Sequence, residues 1–120
     1  DRFYFPGQKL ERHADRDACE ISVTVHVGTN LKGSDADWPI WIKTPDTYGD
    51  DTRTYTIENG ENHSVVLKPG DGMVYKGCER PHWRDSMPGN QWNNNYYHQI
   101  FFHYVLQDGQ RAHCAWDRSR

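Results

Sequence analysis

The sequence predicts an all-β domain, either a β-sandwich or a barrel-like jelly roll. Its 5 Trp, 7 Tyr and 4 Phe concentrate in short segments in which side chains alternate with a period of two. Turn-forming pairs of Pro, Gly, Asn and Asp separate these segments. No segment combines a sustained 3.6-residue apolar period with helix caps. Many short strands and few or no helices are therefore expected.

Eight segments are predicted to form strands. In chain order they are 2–5, 19–27, 38–42, 53–57, 64–67, 72–76, 97–106 and 111–116. The turn signals between them are Pro6-Gly7, Pro45-Asp46, Asn59-Gly60, Pro69-Gly70, Pro88-Gly89 and Asp108-Gly109. Aromatic and aliphatic residues at alternating positions predict strands in segments 2–5, 38–42 and 97–104. Segment 72–76 is an apolar run that follows a Pro-Gly turn.

Segment 19–27 alternates most regularly. One face carries four apolar residues, Ile21, Val23, Val25 and Val27. The opposite face carries Ser22, Thr24 and His26. The simpler interpretation places the polar face in water. The alternative places it along a cavity inside a double-layered β-structure.

Composition excludes several classes of function. A chain of 120 residues forms one domain by the usual size relation. A formal net charge of −3 gives no electrostatic footprint for nucleic acid or an anionic membrane, and no apolar run is long enough to span a bilayer. Three cysteines without a paired spacing favour a reducing, cytoplasmic location, although the sequon at Asn62 is a weak contrary sign.

His13 and Asp15 are the first candidate metal ligands. A His-x-Asp spacing puts both side chains on one face of an extended backbone, where they can reach one cation. His82, which follows a strand and precedes Arg84, is the preferred third ligand, and His63 in a turn-rich segment is the alternative. Two histidines and one carboxylate are the ligand set of non-haem Fe(II) oxygenases, although a zinc hydrolase would use similar ligands.

Three segments resemble the Fe(II)- and 2-oxoglutarate-dependent oxygenases, particularly the prolyl 4-hydroxylase-like branch. YFPGQKLERHAD resembles the first metal-binding segment, and KPGDGMVYKGCERPHWR resembles the segment that leads to the distal histidine. YYHQIFFHYVLQDG resembles the closing core strand. With the strand CEISVTVHVG, these segments cover most of the chain.

The resemblance implies a double-stranded β-helix whose polar interior holds Fe(II) between two sheets. It implies His13, Asp15 and His82 as metal ligands and catalytic residues, with 2-oxoglutarate as co-substrate, dioxygen as the oxidant and ascorbate as a further cofactor. The expected reaction is hydroxylation of an unactivated C–H bond in a small molecule or a peptide, for example a peptidyl proline. Because the chain starts without Met, directly in RFYF, residues 1–120 are expected to be a core domain lacking the N-terminal helical part of the family.

The family's carboxylate anchor is not found at its usual place. Relatives place an Arg or Lys about ten residues beyond the distal histidine, where this chain reads PGNQWNNN. Arg84 is the candidate replacement, because it shares the face of His82 and offers a bidentate fork. The other residues expected to contact the co-substrate are Tyr4, Thr24, His26 and Gln99.

Other aromatic and imidazole side chains are interpreted as structural. His103 shares the face of Gln99 and is expected to be a hydrogen-bonded core residue, with His98 facing outward. Trp38, Trp41, Trp83 and Trp116 are expected to pack, and the border of a substrate entrance is an alternative for Trp83. The loops 28–38 and 44–52 are expected to grip a substrate or form a lid.

Two other functions remain open at this point. One is a cupin-like metal protein, although cupins present His-x-His where this chain has His-x-Asp. The other is a non-enzymatic jelly-roll module that binds carbohydrate or protein through exposed Trp and Tyr and needs no metal.

Overall fold

A computed structural model describes residues 1–44, 60–109 and 112–114. These residues form eight strands: β1 (Arg2–Tyr4), β2 (Leu10–His13), β3 (Ile21–Thr29), β4 (Ile40–Lys43), β5 (Asn62–Val65), β6 (Gly72–Tyr75), β7 (His82–Arg84) and β8 (Tyr97–Tyr104). Four short 3-10 helices lie between or after them: Asp17–Cys19, Gly33–Asp37, Gln91–Asn93 and Ala112–Cys114. None of the described helices is long and apolar enough to cross a membrane.

The strands form two antiparallel four-stranded sheets with jelly-roll topology. The first sheet has the order β1-β8-β3-β6 and the second has the order β2-β7-β4-β5. Successive strands therefore lie in opposite sheets except for the neighbours β4 and β5, and the chain returns at β7 and β8 to an inner position of each sheet, as in a double-stranded β-helix. The all-β, jelly-roll prediction is confirmed.

β3 shows which side of the first sheet faces the interior. Ser22, Thr24 and His26 are fully buried, whereas the apolar residues between them are partly exposed. The interpretation that put this polar face in water is wrong, and the alternative of a polar interior is correct. Hydrogen bonds make such an interior possible, because they compensate for the water that these groups lose.

Apolar packing closes one end of the polar interior. Tyr4, Leu31, Trp38, Met87 and Tyr97 form one buried cluster. The ring of Trp38 meets those of Tyr4 and Tyr97 edge-on, in each case with centroids 5.1 Å apart, and its indole nitrogen donates to the carbonyl of Asp85. The cluster packs β1 and β8 of one sheet against the segment that enters β4 of the other.

A tight turn leads into β6 where the sequence predicts one. Gly70 has a φ of 93°, a left-handed conformation that glycine adopts without a Cβ penalty. Its amide donates to the carbonyl of His26, and the His26 amide donates to the carbonyl of Asp71. These two bonds tie the turn to β3 and set the register in which β6 pairs with it.

The strand predictions fail in identifiable places. β2 and β7 are missed, since they are only four and three residues long and carry charged residues instead of an apolar alternation. The prediction for 111–116 is wrong where the chain is described, because Ala112–Cys114 is a 3-10 helix, and Cys19 belongs to a 3-10 helix rather than to β3. Segment 53–57, Trp116 and nearly all of loop 44–52 lie outside the described residues.

Candidate metal centre and the polar interior

The fold brings the three predicted metal ligands together. His13 is the last residue of β2 and pairs with His82, the first residue of β7. Asp15 lies just beyond β2, where its amide donates to the carbonyl of Gly77 at 2.8 Å. One ligand atom from each of the three side chains lies within 4.8 Å of the other two, so a single cation can be bound by all three.

Both histidines present the same nitrogen to the aspartate. His13 Nε2 lies 3.1 Å and His82 Nε2 lies 3.4 Å from Asp15 Oδ1. The Nδ1–H groups donate to backbone carbonyls, that of His13 to Glu11 at 2.6 Å and that of His82 to Arg80 at 2.8 Å. A carbonyl only accepts, so Nδ1 carries the proton and Nε2 is the nitrogen available to a metal.

The electrostatics of this cluster favour an ionised carboxylate. Burial alone would raise the pKa of Asp15, but hydrogen bonds from His13 and His82 hold it well below its usual range. The hydrogen bond to Asp15 raises the pKa of His13 against the effect of partial burial. A site with one anionic oxygen and two imidazole nitrogens suits a divalent ion of the Fe(II), Mn(II) or Zn(II) type.

His63, the alternative third ligand, is not part of the cluster. It lies on β5, with β4 between it and His82, and both histidines pair with Ile42. Its Nε2 is 3.4 Å from Glu61 Oε2. The structure thus separates the preferred ligand from its alternative.

Arg84 is buried in the same interior, two residues beyond His82 on β7. It is only 1% exposed, and no carboxylate of the described residues lies within ion-pair distance of it. One terminal nitrogen donates to the carbonyl of Trp38 at 3.0 Å and the other to Gln99 Oε1 at 2.8 Å. Burial lowers the pKa of Arg84, but arginine remains protonated in proteins, so Arg84 is a desolvated cation with no counterion among the described residues.

The other predicted co-substrate residues lie around this cation. Gln99 Nε2 is 3.5 Å from the hydroxyl of Tyr4, to which it donates. His26 pairs with Gln99 across the strands β3 and β8 and stacks on Tyr97 at 4.0 Å. Burial lowers the pKa of His26, which keeps the ring neutral at neutral pH.

Two buried nitrogens in this region lack hydrogen-bond partners among the described residues. They are Arg84 Nε, an N–H donor, and His26 Nε2, an acceptor because Nδ1–H faces the carbonyl of His98. Burial raises the pKa of Tyr97 and the neighbouring Arg84 lowers it. The guanidinium lies 4.7 Å from the Trp38 ring and 4.9 Å from the Tyr97 ring, and these cation–π contacts compensate for part of its desolvation. A buried guanidinium N–H without an acceptor, on a cation that no carboxylate of the described residues neutralises, is the pattern expected where a bound anion supplies the missing acceptor.

Thr24 lies on the buried face of β3, between Ser22 and His26. Its hydroxyl is 3.1 Å from that of Tyr75, whose ring meets His82 edge-on at 4.9 Å. Burial raises the pKa of Tyr75 to about 12, so the phenol stays protonated. The interior therefore holds neutral hydroxyl groups beside the candidate metal ligand His82.

Some interior residues were not predicted from the sequence. Tyr97 lies two residues before Gln99 on β8, so the alternation of that strand could have indicated that it faces inward. Tyr75 pairs with Ser22 across β3 and β6, and no pattern within one strand indicates that. Ser22, which was noted only as part of the polar face of β3, reaches Asp15. Its role required the pairing of distant strands to be known.

Two structural interpretations are corrected. His103 does face Ser22, with its Nδ1 3.2 Å from the hydroxyl, but it lies at an exposed end of β8 and is not a core residue. Trp83 points to the side of β7 opposite His82, where it stacks on Trp41 at 6.2 Å beneath the guanidinium of Arg12. Trp83 therefore packs on the outside of the second sheet and does not border the metal.

Comparisons of the chain with protein-family models, with curated proteins and with solved structures find no match.

Proposed function

We propose that this protein is an Fe(II)- and 2-oxoglutarate-dependent dioxygenase that hydroxylates an unactivated C–H bond. One observation carries the proposal: two imidazole nitrogens and one carboxylate oxygen converge in a jelly roll that also buries an arginine for which the described part of the chain supplies no counterion. The first feature suits Fe(II) with open coordination positions. The second suits the far carboxylate of a dicarboxylic co-substrate.

The positions of the two features agree with one elongated ligand. Two residues along β7 separate His82 from Arg84, a span of about 7 Å that is comparable with the length of a five-carbon dicarboxylate. Thr24 and Tyr75 add hydroxyl groups to the same polar interior. A zinc hydrolase would account for the three ligands but would leave the buried cation unexplained.

The residues have separate tasks in this proposal. His13, Asp15 and His82 would hold the iron, which when bound supplies the activation of dioxygen coupled to oxidative decarboxylation of 2-oxoglutarate to succinate. Arg84 neutralises the far carboxylate, and Gln99 holds the guanidinium in position through the bond to its Oε1. Burial of these groups excludes water from the reacting ligands.

The substrate is proposed at the level of its class. A small molecule or a peptide, such as a peptidyl proline, fits a chain whose formal net charge is −3 better than a nucleic acid does. Three cysteines without a paired spacing fit a reducing cytoplasm.

The test is an anaerobic titration of the folded protein with Fe(II) and 2-oxoglutarate. A weak visible metal-to-ligand charge-transfer band is expected in the wild type and in His63→Ala, whose imidazole lies outside the cluster, and should be absent in His82→Ala. Iron-loaded, folded wild type without the band would reject the assignment. A cupin-like metal protein would bind iron but give no 2-oxoglutarate-dependent band, and a non-enzymatic module would need no metal.

A further inference from the structure

The second oxygen of Asp15 is occupied by the protein itself. Asp15 Oδ1 faces the two histidine nitrogens, while Oδ2 accepts a hydrogen bond from Ser22 Oγ at 3.1 Å. The Asp15 amide is bound to Gly77. The carboxylate is thus fixed at both oxygens and at its backbone.

Ser22 is itself held in place. It is fully buried on β3, and its hydroxyl oxygen lies 3.2 Å from His103 Nδ1 and 3.4 Å from the carbonyl of Cys19. A hydroxyl has one proton, and an ionised carboxylate is the strongest of these acceptors. The proton of Ser22 therefore points to Asp15, and His103 Nδ1–H donates to Ser22.

Gly77 shows how closely the serine and the carboxylate are enclosed. A Cβ at this position would lie 2.2 Å from Ser22 Oγ and 2.3 Å from Asp15 Oδ2. Neither atom belongs to a long flexible side chain that could move away at little cost. Only glycine at position 77 leaves room for the contact between Ser22 and Asp15.

We propose that Ser22 is a positioning residue that keeps Asp15 a monodentate ligand. An octahedral ion held by one oxygen and two nitrogens keeps three exchangeable positions, whereas a chelating Asp15 would leave two. By binding Oδ2, Ser22 preserves the third position. This inference rests on the metal centre of the proposed function but not on the identity of its co-substrate.

A competing use of Asp15 Oδ2 is a second cation. Asp15, Cys19 and His103 also have ligand atoms within 4.8 Å of one another. The hydroxyl of Ser22, however, is in hydrogen-bond contact with both Asp15 and His103. We therefore assign Oδ2 to the hydrogen bond from Ser22. The number of metal ions bound per chain distinguishes this hydrogen bond from a second cation site.

The test counts water on a bound Mn(II) ion, without co-substrate, by water-proton relaxation. In Ser22→Ala, relaxivity per bound Mn(II) is expected to fall by about a third, because one of about three exchangeable waters is displaced. Gly77→Ala, which keeps the serine but crowds the contact, is expected to lower it in the same direction. Thr29→Val, which removes a hydroxyl from the same strand that binds the carbonyl of Tyr96 instead, should leave relaxivity unchanged.

Three results would overturn the inference. The first is equal relaxivity in folded wild type and Ser22→Ala, and the second is loss of Mn(II) binding by folded Ser22→Ala. The third is binding of two Mn(II) or Zn(II) ions per wild-type chain with only one in Cys19→Ala. If the charge-transfer band forms in the wild type while relaxivity is unaffected by Ser22→Ala, the positioning role fails and the proposed function stands. If relaxivity changes as expected but no charge-transfer band forms, the positioning role of Ser22 stands and the proposed function fails.

Discussion

At the candidate metal centre, the three proposed ligands differ in exposure and so in their expected contributions. The side chain of His82 is 3% exposed and that of His13 is 38% exposed. His82 is held by β7 between two neighbouring strands, whereas His13 ends a strand at the edge of its sheet. His82 therefore provides the more rigid ligand.

Replacement of His82 is expected to remove most of the metal affinity. His82→Ala should weaken Mn(II) binding by more than about 100-fold, since loss of a direct ligand exceeds the usual effect of losing an outer-shell partner. His63→Ala should bind as the wild type does. Equilibrium dialysis or isothermal titration measures both variants, and equal affinity of the two would place the metal elsewhere.

Metal affinity is expected to rise with pH through the raised pKa of His13. Asp15 has a lowered pKa and is already ionised near neutrality, so the proton on His13 Nε2 is the one that a metal must displace. Affinity should increase up to about tenfold per pH unit below that pKa and level off above it. Titrations of Mn(II) over this range measure the slope, and a pH-independent affinity would show that His13 is not a ligand.

The same shifts determine the stability of the metal-free protein. Asp15 has a lowered pKa in the folded state, so its contribution is present above the ordinary value of 3.8 and is lost as the pH falls. His13 has a raised pKa, so its contribution is present below 6.5 and is lost as the pH rises. Urea unfolding of metal-free protein should therefore show the largest difference between wild type and His13→Ala in the window between these values.

Arg84→Lys tests the anion pocket while keeping the positive charge. Lysine concentrates its three donors on one nitrogen, so it cannot reproduce the separate bonds to Trp38 and Gln99 and also offer a planar fork to a carboxylate. One charged hydrogen bond is worth about 1.5–3 kcal/mol, so the dissociation constant of 2-oxoglutarate should rise roughly 10- to 100-fold while Mn(II) binding is unchanged. Arg12→Lys, on the outside of the second sheet, is the matched control. Unchanged co-substrate affinity in Arg84→Lys would remove Arg84 from the site.

At the scale of elements, strands with a long alternating face could be predicted from the sequence. The two strands that carry the candidate ligands His13 and His82, β2 and β7, could not. β3 and β8 are nine and eight residues long, which gives a period of two enough repeats to be recognised. β2 and β7 are short and polar, and they are ordered by pairing with each other and with β4. The ligands themselves were found through residue type and resemblance, not through strand patterns.

The loop that leads into β8 is stabilised by asparagines, and Asn95 is central to it. Its Oδ1 accepts from the Asn90 amide at 2.8 Å and its Nδ2 donates to Asn30 Oδ1 at 3.2 Å. Asn95→Ala would remove both hydrogen bonds and should lower the free energy of unfolding by about 2 kcal/mol, since each such bond contributes about 1 kcal/mol. The exposed Asn93→Ala should change it by less than about 0.5 kcal/mol. Urea denaturation compares the two, and equal midpoints would mean that the loop is not held by Asn95.

At the scale of the whole molecule, the sequence predicts the all-β, jelly-roll fold class. It does not predict from one strand whether the polar face of β3 lies in water or in the interior. The same alternation in β3 fits a polar face in water and a polar face in a hydrogen-bonded interior. The second arrangement holds because Ser22, Thr24 and His26 face partners on β6, β8 and the segment after β2, which are distant in sequence. Only the closed pair of sheets brings those partners together.

Because the metal centre connects both sheets, metal binding is expected to stabilise the entire fold. His13 and His82 belong to the second sheet, while Asp15 is bonded to Ser22 of the first and to Gly77, just beyond β6. A ligand that binds only the folded state adds about 2.7 kcal/mol at a concentration 100 times its dissociation constant. For a domain of this size, such a gain corresponds to a rise in Tm of about 10 °C.

Thermal unfolding followed by circular dichroism, with and without saturating Mn(II), measures this effect. The wild type and His63→Ala should show the full rise, and His82→Ala should show almost none. A rise confined to a local probe near Trp38, without a shift in the global transition, would mean that the metal orders only its own surroundings. A single cooperative shift in which near-ultraviolet and far-ultraviolet signals coincide is expected instead, because the ligands and their hydrogen-bond partners come from strands of both layers.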